Sequence, residues 1–355
     1  MAKKKLNKKY KKAVLMSKNT PLLGLILEKN NVIKIIRIKN EEKLPFLLKD
    51  NLNEKTLNYW INKRLISDKR EGFDEVKKVF GNFDDYGAMF SLTDQYWFSF
   101  GKRQNWEDGN FFHQRYDRNF GYMFFYPWEV KKSHIKFPSP DMTTNGVTRK
   151  RWIQYKNSYK SYLIKSRDQD GIQDPINEVI ASKYLKKLNF IDVVEYDLII
   201  DGLRFCSKCP NFIDENTEFV PASHVCATMP KNSNMDFYDF IIKKCDELNL
   251  KNSKDYLDRM ITADYIIKNV DRHYGNFGFI RDVDSGKLID FAPLFDFGLS
   301  FTKTNSNKKK KTFFSEERIK NALKYTSKKY NIDIKPPRKD TLMEVLNYYP
   351  FVHEK

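Results

Sequence analysis

Residues 263–301 decide the fold: ADYIIKNVDRHYGNFGFIRDVDSGKLIDFAPLFDFGLSF. The stretch opens at a predicted helix end, because Leu257, Met260, Ile261 and Tyr265 recur at helical spacing. The chain then breaks through Asn269–Asn276, a run of mostly polar residues with one glycine. A helix that delivers a polar loop is therefore predicted here.

A hairpin is predicted directly after this loop. The apolar runs Phe277–Ile280 and Leu288–Phe291 flank the turn Asp284-Ser285-Gly286, and two such runs around a glycine turn are typical of antiparallel strands. A hairpin returns the chain close to its start. We therefore expect side chains before the first strand to meet side chains that follow the second.

Those side chains are Asp271, His273 and Asn276 before the hairpin and Asp296 after it. Two carboxylates and an amide oxygen suit magnesium held together with phosphate oxygens. A carboxylate that binds no metal can accept the proton of an attacking hydroxyl, which is how phosphoryl transfer is arranged. The alternative is a polar turn in which Asp271 caps a helix, but D-R-H-x-x-N, a hairpin and D-F-G together favour a functional site.

These motifs resemble those of a known enzyme family. Asn269-Val-Asp-Arg-His-Tyr-Gly-Asn276-Phe resembles the N-x-D-x-H-x-x-N-F loop of HipA-like serine/threonine kinases. The D-R-H-x-x-N and D-F-G motifs are also similar to those of phosphoinositide kinases and CtkA-like kinases. The resemblance implies that Asp271 is the catalytic base, that Asn276 and Asp296 bind magnesium, and that His273 orients the loop or lies close to the chemistry.

The same resemblance implies a lysine and a glutamate upstream of the loop. Tyr162-Leu-Ile-Lys165 is an apolar strand that ends in a lysine suited to nucleotide phosphates, and Asn177-Glu178 is predicted to open a helix. An ion pair between Lys165 and Glu178 holds such a lysine in kinases. Separately, each residue fits a solvated strand end or a helix-dipole partner.

A polar segment precedes Lys165 at Thr143–Trp152. Its Asn145-Gly146 pair is predicted to lie between short strands and to cover nucleotide phosphates with backbone N–H groups. A plain hairpin is the alternative, because Asn-Gly is common in tight turns. The resemblance also makes Thr143, Thr144 and Thr148 candidate autophosphorylation sites.

The segment Ser207–Ile213 is predicted to connect two lobes, so that Cys209 and Phe212 lie where the backbone meets adenine. Cys206, Cys209, His224 and Cys226 also supply four possible zinc ligands. Buried thiols that act as small apolar side chains are favoured over zinc.

Length and composition agree with a two-lobed enzyme plus a further module. The chain has 355 residues, 41% of them hydrophobic, with 28 Phe and 20 Tyr, which is enough for a sizeable core. We predict an α+β, two-lobed kinase-like fold, with a small β-rich lobe and a helical C-terminal lobe. The predicted parts are an N-terminal accessory module (1–135), a small lobe with its connecting segment (136–213) and a helical catalytic lobe (214–355).

The net charge of +18 favours polyanionic partners, although a lysine-rich genome composition explains it equally well.

The aromatic residues crowded between Phe83 and Trp128 are interpreted as core rather than as a stacking surface for single-stranded nucleic acid. The lysine run Lys308–Lys311 is interpreted as a solvated loop. No stretch approaches the about 20 apolar residues of a membrane span. A cytoplasmic protein is expected.

The sequence thus predicts an ATP- and Mg²⁺-dependent serine/threonine protein kinase that phosphorylates a protein substrate and itself. A toxin–antitoxin setting, with an antitoxin-like or nucleic-acid partner on the basic surface, is compatible with the resemblance. Two alternatives stay open. One is a lipid or small-molecule kinase with the same site, and the other is a nucleic-acid-binding protein of a mobile element whose kinase pocket has decayed.

Overall fold

This computed structural model describes most of the chain. The described residues are 10–29, 31–81, 90–101, 104–136, 138–168, 173–229, 235–301, 314–338, 341 and 352–353. The lysine run Lys308–Lys311, interpreted above as a solvated loop, lies outside them.

The chain forms two compact units, neither of which is continuous in sequence. The first contains Met1–Leu163, Ile213–Phe219 and Arg281–Lys287. The second contains Ile164–Phe212, Val220–Ile280 and Leu288–Lys355.

The first unit is built on a four-stranded antiparallel sheet with short helices. Its elements are β1 (Tyr10–Ser17), β2 (Thr20–Glu28), β3 (Asn31–Ile38), α1 (Glu54–Arg64), α2 (Phe73–Phe80), β4 (Tyr96–Ser99), α3 (Asn119–Met123) and β5 (Arg149–Gln154). The strand order is β3-β2-β1-β4. The sequence alternates along β2, so that Leu23, Leu25 and Leu27 face a core that also holds Leu57 and Trp60 of α1.

Helix α1 shows why these elements form where they do. Asn53 caps its start, since the Asn53 side chain accepts a hydrogen bond from the N–H of Thr56 at 3.0 Å. Leu57, Trp60 and Ile61 are buried at spacings of three and four residues, which places one apolar stripe against the sheet.

One buried charge cluster holds the separate segments of the first unit together. Arg281, 1% exposed, donates to Glu218 at 2.6 Å and to the hydroxyl of Tyr96 at 2.9 Å. It also donates to the carbonyl oxygens of Leu44 and Gly286. A buried guanidinium is tolerated because these acceptors replace its lost water.

The second unit combines small sheets with most of the long helices. Its elements are β6 (Ser161–Ser166, from Ile164 onward), α4 (Gln173–Leu188), β7 (Asp197–Asp201), β8 (Arg204–Pro210), β9 (Thr217–Pro221, from Val220 onward), α5 (Ala222–Cys226), α6 (Phe237–Glu247), α7 (Ser253–Ile266), β10 (Gly278–Asp282, up to Ile280), β11 (Leu288–Phe291), α8 (Glu316–Tyr330) and β12 (Val352–His353). One sheet has the order β12-β7-β8-β6, and β11-β10-β9 form another. The β7–β8 pair is antiparallel, whereas β12 pairs with β7 in parallel.

Helix α7 and the hairpin β10–β11 follow the sequence prediction closely. Leu257, Met260 and Ile261 of α7 are buried. Tyr256 stacks on Phe291 of β11 with ring centroids 4.1 Å apart, and its hydroxyl donates to the carbonyl of Ala292 at 3.0 Å. The helix that precedes the polar loop therefore also fixes the hairpin that follows it.

The predicted mixture of helices and antiparallel sheets is confirmed, but two boundaries were wrong. Helix α4 begins at Gln173 rather than at Asn177, so Glu178 lies beyond the first turn and is buried. Strand β8 continues to Pro210, so Cys209 belongs to a strand rather than to a connecting segment. Among the described residues, no helix is long and apolar enough to cross a membrane.

Candidate active site

The candidate site is centred on Lys165, the second-last residue of strand β6, which ends at Ser166. Its Nζ atom lies 2.7 Å from Oε1 of Glu178 on α4 and 3.0 Å from Oδ1 of Asp296. The side chains of Lys165 and Glu178 are 10% and 4% exposed, whereas that of Asp296 is 43% exposed. The predicted Lys165–Glu178 ion pair is present, and a third predicted residue joins it.

Glu178 is held in place from two further directions. Its second carboxylate oxygen accepts a short hydrogen bond from the hydroxyl of Ser207 on β8. The neighbouring residue of α4, Asn177, donates from its side-chain amide to the carbonyl of Gly298 at 2.9 Å. Helix α4 is thus bonded both to the sheet and to the D-F-G segment, which fixes the carboxylate that orients Lys165.

The opposite charges of this cluster stabilise the charged form of Lys165. Burial disfavours the ammonium form of Lys165, but the carboxylates of Asp296 and Glu178 outweigh burial and hold the pKa of Lys165 well above its usual value. Lys165 therefore carries a positive charge throughout the neutral pH range. A buried, permanently charged ammonium is suited to binding phosphate oxygens.

The loop after α7 is ordered by its own side chains. Asn276, which is buried, donates from its side-chain amide to the carbonyl of Asp271 at 2.9 Å and accepts from the N–H of His273 at 2.9 Å. Nδ1 of His273 accepts from the N–H of Gly275 at 3.0 Å. The expected orienting role of His273 in the loop therefore has a direct basis in these two bonds.

Asp271 is positioned through its backbone alone. Its N–H donates to the side-chain oxygen of Asn269 at 3.1 Å, and its side chain is half-buried. In the part of the chain that the structure describes, the carboxylate of Asp271 accepts no hydrogen bond. A carboxylate in this condition is available to receive a proton from a substrate.

Arg272 joins the loop to the D-F-G segment. Its Nη1 atom donates to the carbonyl of Asn276 at 2.6 Å and to that of Phe295 at 3.1 Å. Its Nε and Nη2 atoms form a bidentate pair with Asp264 on α7, at 2.9 and 2.8 Å. Because one nitrogen binds both carbonyls, Asn276 and the residue before Asp296 lie side by side.

Asp296 adopts a backbone conformation that few residues other than glycine favour. Its φ angle is +65°, in the left-handed region. Phe297, which follows, is fully buried, with its ring edge against Tyr196 at 6.3 Å. The hydroxyl of Tyr196 accepts from the N–H of Asp296 at 3.3 Å, and the Tyr196 ring lies 5.4 Å from Nζ of Lys165. The anchored phenylalanine turns the carboxylate of Asp296 toward Lys165.

The oxygen donors of this site fit magnesium better than zinc. Magnesium is usually held by one or two carboxylates together with substrate phosphates. The side-chain oxygen of Asn276 accepts one hydrogen bond, which leaves a second lone pair for a metal. No group of three His, Cys, Asp or Glu side chains that could hold a metal occurs within the described ranges, so the possible zinc ligands Cys206, Cys209, His224 and Cys226 are not assembled.

Comparison with known proteins gives a likeness in structure but none in sequence. No protein-family model matches the chain, and no curated protein sequence matches it. The HipA protein of Shewanella oneidensis MR-1, solved with HipB and operator DNA, superimposes with a TM-score of 0.60 at 11% identity, over 95% of this chain and 91% of HipA. The chain shares the HipA fold. The predicted resemblance is thus confirmed at the level of the fold.

A second similar structure is the Helicobacter pylori proinflammatory kinase CtkA. It matches with a TM-score of 0.44 at 19% identity, over 58% of this chain and 84% of CtkA.

The predicted phosphate loop lies in the first unit and differs in one respect from the prediction. A 3-10 helix, Pro140–Thr143, precedes Asn145-Gly146, so the pair does not lie between two strands and does not form a plain hairpin. The hydroxyls of Thr143 and Thr144 are buried and each donates to the carbonyl of Pro140, at 3.2 and 2.7 Å. Of the three candidate phosphorylation sites only Thr148 is half-exposed.

The predicted adenine-facing residues lie in the second unit. Cys209 is buried in β8, and burial raises the pKa of its thiol to about 12, so the thiol is neutral and unreactive at neutral pH. Phe212 stacks on Phe295 with ring centroids 5.6 Å apart. Phe212 therefore contacts the residue that precedes Asp296.

The sequence left three residues of this site without a role. Tyr196 and Ser207 lie in runs with no motif, and only their position beside Asp296 and Glu178 reveals them. The sequence motifs assigned no role to Arg272. Its position inside the D-R-H-x-x-N motif was the available signal for a larger role.

Proposed function

We propose that this protein is an ATP- and Mg²⁺-dependent serine/threonine protein kinase of the HipA-like type. The observation that carries this proposal is the contact of one buried lysine, Lys165, with both Glu178 and Asp296. These residues come from a strand, a helix and the D-F-G segment. In kinases a lysine paired with a helix glutamate, close to the aspartate of the D-F-G motif, binds the nucleotide phosphates.

The residues divide the work of phosphoryl transfer as follows. Lys165 binds the phosphates, Glu178 orients Lys165, and Asn276 and Asp296 hold magnesium. Bound magnesium neutralises charge on the phosphate oxygens. Asp271 accepts the proton of the attacking hydroxyl while the new O–P bond forms and the bond from the γ-phosphorus to the ADP oxygen breaks.

Other assignments belong to the same proposal. Asn145 and Gly146 provide backbone that covers the nucleotide phosphates, and Cys209 and Phe212 meet the adenine. His273 orients the catalytic loop through its bonds with Asn276 and Gly275. The two-lobed arrangement, the division at residues 135 and 213, autophosphorylation and the cytoplasmic location stay predictions.

The HipA comparison bears on partners. HipA was solved with HipB and its operator DNA. The net charge of +18 is compatible with a similar antitoxin-like or nucleic-acid partner for this chain. We include such a partner in the proposal, within a toxin–antitoxin setting.

Transfer of label from γ-labelled ATP tests this function. We expect magnesium-dependent labelling of a protein hydroxyl by the wild type and none by Asp271→Ala, whose fold is checked by its unfolding curve. Mass spectrometry of the peptide with Thr143, Thr144 and Thr148 identifies any autophosphorylated residue. Retained labelling in Asp271→Ala contradicts the assigned base.

The alternatives give different outcomes in the same assay. Label that moves to a lipid or small molecule, and not to protein, indicates a kinase with another acceptor. Absence of any transfer, together with salt-sensitive DNA or RNA binding that is unchanged in Asp296→Ala, indicates a nucleic-acid-binding protein with a decayed pocket. The intact Lys165–Glu178–Asp296 cluster favours the kinase over this last alternative.

A further inference from the structure

The first unit contains a buried arginine that binds the predicted phosphate loop. Arg70 lies between α1 and α2 and is 2% exposed. Its Nη2 atom donates a short hydrogen bond to the carbonyl of Thr144, and its Nε atom donates to the carbonyl of Gly146 at 3.4 Å. A residue of the N-terminal part thus contacts a loop that is more than 70 positions away in the sequence.

The residue after Arg70 adds a third bond to the same loop. The N–H of Glu71 donates to the carbonyl of Val147 at 2.8 Å. Three of the four carbonyl oxygens between Thr144 and Val147 are therefore bound by two adjacent residues. The remaining loop residue, Asn145, accepts from the N–H of Gly146 through its side chain at 2.6 Å.

The turn that carries Arg70 is closely packed. The guanidinium carbon of Arg70 lies 5.1 Å from the ring centre of Phe124. Gly72 has a φ angle of +82°, and a Cβ atom added there would overlap Nη1 of Arg149 and lie 3.0 Å from the carbonyl oxygen of Phe124. Glycine is required at position 72 both by its conformation and by this close approach.

The burial of Arg70 is energetically costly. Within the described residues its Nη1 atom has no hydrogen-bond partner. Burial lowers the pKa of Arg70 to about 10, while the nearby carboxylate of Asp141 opposes that change, so the guanidinium stays charged at neutral pH. A buried charged group with an unused donor destabilises the fold and needs a compensating reason.

The loop's predicted task supplies such a reason. An anion-binding loop must present N–H groups and keep its carbonyl oxygens away from the phosphate. Cationic and N–H donors that engage the carbonyls of Thr144, Gly146 and Val147 remove the groups that would repel a phosphate. They also reduce the conformational freedom that the loop would lose when it binds a nucleotide.

We propose that Arg70 is a positioning residue for nucleotide binding, which holds the Thr144–Val147 loop in its phosphate-binding conformation from the N-terminal part of the chain. This inference rests on the proposed function, in which that loop covers the ATP phosphates. It gives the N-terminal accessory module a part in the kinase reaction.

The test compares Arg70→Lys with a matched control, Arg64→Lys. Arg64 is also a buried arginine of the first unit, it forms a bidentate pair with Asp94 at 2.9 and 2.7 Å, and it lies 4.9 Å from the ring centre of Trp60. The bonds seen for Arg64 go to Asp94 and to the carbonyl of Tyr96. Lysine keeps the charge at both positions but loses the planar fork.

Titration calorimetry with Mg·ATP and with adenosine gives the first measurement. We expect Arg70→Lys to weaken Mg·ATP binding about tenfold, as the loss of one charge-assisted hydrogen bond implies, and to leave adenosine binding unchanged. Arg64→Lys should bind both as the wild type does. Unchanged Mg·ATP affinity in a folded Arg70→Lys protein overturns the proposal, and so does an equal loss in both variants.

Backbone hydrogen exchange of the peptide spanning 144–148, measured without nucleotide, is the second measurement. We expect faster exchange in Arg70→Lys and wild-type exchange in Arg64→Lys, and equal exchange in all three proteins contradicts the role of Arg70. If Arg70→Lys does not fold, Arg70→Gln, which keeps a donor for the Thr144 carbonyl, takes its place with the same expectations.

A wild type that binds adenosine but not Mg·ATP overturns the proposed function itself, whereas normal wild-type binding with normal Arg70→Lys binding overturns only this inference.

Discussion

Nζ of Lys165 lies 3.0 Å from Oδ1 of Asp296, a residue 131 positions later in the chain. The same nitrogen lies 2.7 Å from Glu178, so one ammonium pairs with two carboxylates. Asp296 is the more exposed of the two, and it is therefore the carboxylate that a metal can approach. The contact links the residue assigned to phosphates with a residue assigned to magnesium.

Replacing Lys165 should reduce both stability and activity. Lys165→Met leaves Glu178 buried without its counter-ion, and we expect the free energy of unfolding to fall by about 3–5 kcal/mol. Lys186→Met, which removes an exposed pair with Glu195 at 3.0 Å, should cost at most about 1 kcal/mol. Urea unfolding measures both.

The double variant Lys165→Met/Glu178→Gln separates the effect of Lys165 on stability from its effect on activity. It removes the buried negative charge and should recover part of the lost stability, while phosphotransfer stays absent. Equal stability of the single and double variants would show that Glu178 is not left with an uncompensated charge.

Asp271→Asn should abolish catalysis without affecting the fold. The carboxylate of Asp271 accepts no hydrogen bond from the described residues, so its loss should change the free energy of unfolding by less than about 0.5 kcal/mol. We expect kcat to fall about 10²- to 10⁴-fold, as for the loss of a general base. A steady-state assay at saturating ATP gives kcat, and a thermal unfolding curve gives the stability.

Asn276→Ala provides the contrast to Asp271→Asn. Asn276 is buried and makes two hydrogen bonds within the loop, so its loss should cost about 1–3 kcal/mol as well as activity. If both variants are equally stable, the loop is not held by Asn276.

Arg272→Lys should weaken the hydrogen bonds that connect the loop after α7 with the D-F-G segment. A lysine has no planar fork to bind Asp264 and the carbonyls of Asn276 and Phe295 together. We expect a loss of about 1.5–3 kcal/mol in stability, together with a fall in kcat that exceeds the change in KM for ATP.

Arg259→Lys is the control for Arg272→Lys, because Arg259 lies on α7, the helix that precedes the loop. Arg259 pairs with Asp255 at 3.0 Å and donates to the carbonyl of Phe190, and among the described residues its hydrogen bonds do not reach the loop. It should lose stability but keep its kcat. If kcat falls equally in both variants, Arg272 acts only through general stability.

The buried Asp141 of the first unit should make stability depend on pH. Burial raises the pKa of Asp141 from 3.8 to about 7, so between these values the folded state keeps a proton that the unfolded state has released. Stability therefore falls as the pH rises from about 4 to about 7, by up to about 4 kcal/mol, and is level above that range. Unfolding in urea across pH 4–8 measures the slope.

Asp141→Asn should reduce that slope, because an amide does not titrate. Oδ1 of Asp141 accepts from the N–H of Trp152 at 2.8 Å, and asparagine keeps this acceptor. A slope that is the same in both proteins would assign the pH dependence to other groups.

Much of the second unit was predictable because its signals are local. Apolar spacing located α7, and two apolar runs around a glycine turn located β10 and β11. The motif residues Asp271 and Asn276 form one hydrogen-bonded loop because they are only five positions apart. The start of α4 was placed too late, because Gln173, Asp174 and Pro175 interrupt the apolar spacing, although proline is tolerated in the first turn of a helix.

The sequence by itself determined the residue types of the candidate site, the order in which they occur and the hairpin that brings the chain back. Only the tertiary structure decided that Asp296 joins the predicted Lys165–Glu178 pair, that Tyr196 and Ser207 support these residues, and that Arg70 holds the Thr144–Val147 loop. The physical reason is that motifs and periodicity report interactions between near neighbours. The partner of a buried charge is set by the packing of segments that are distant in sequence, and no local pattern records it.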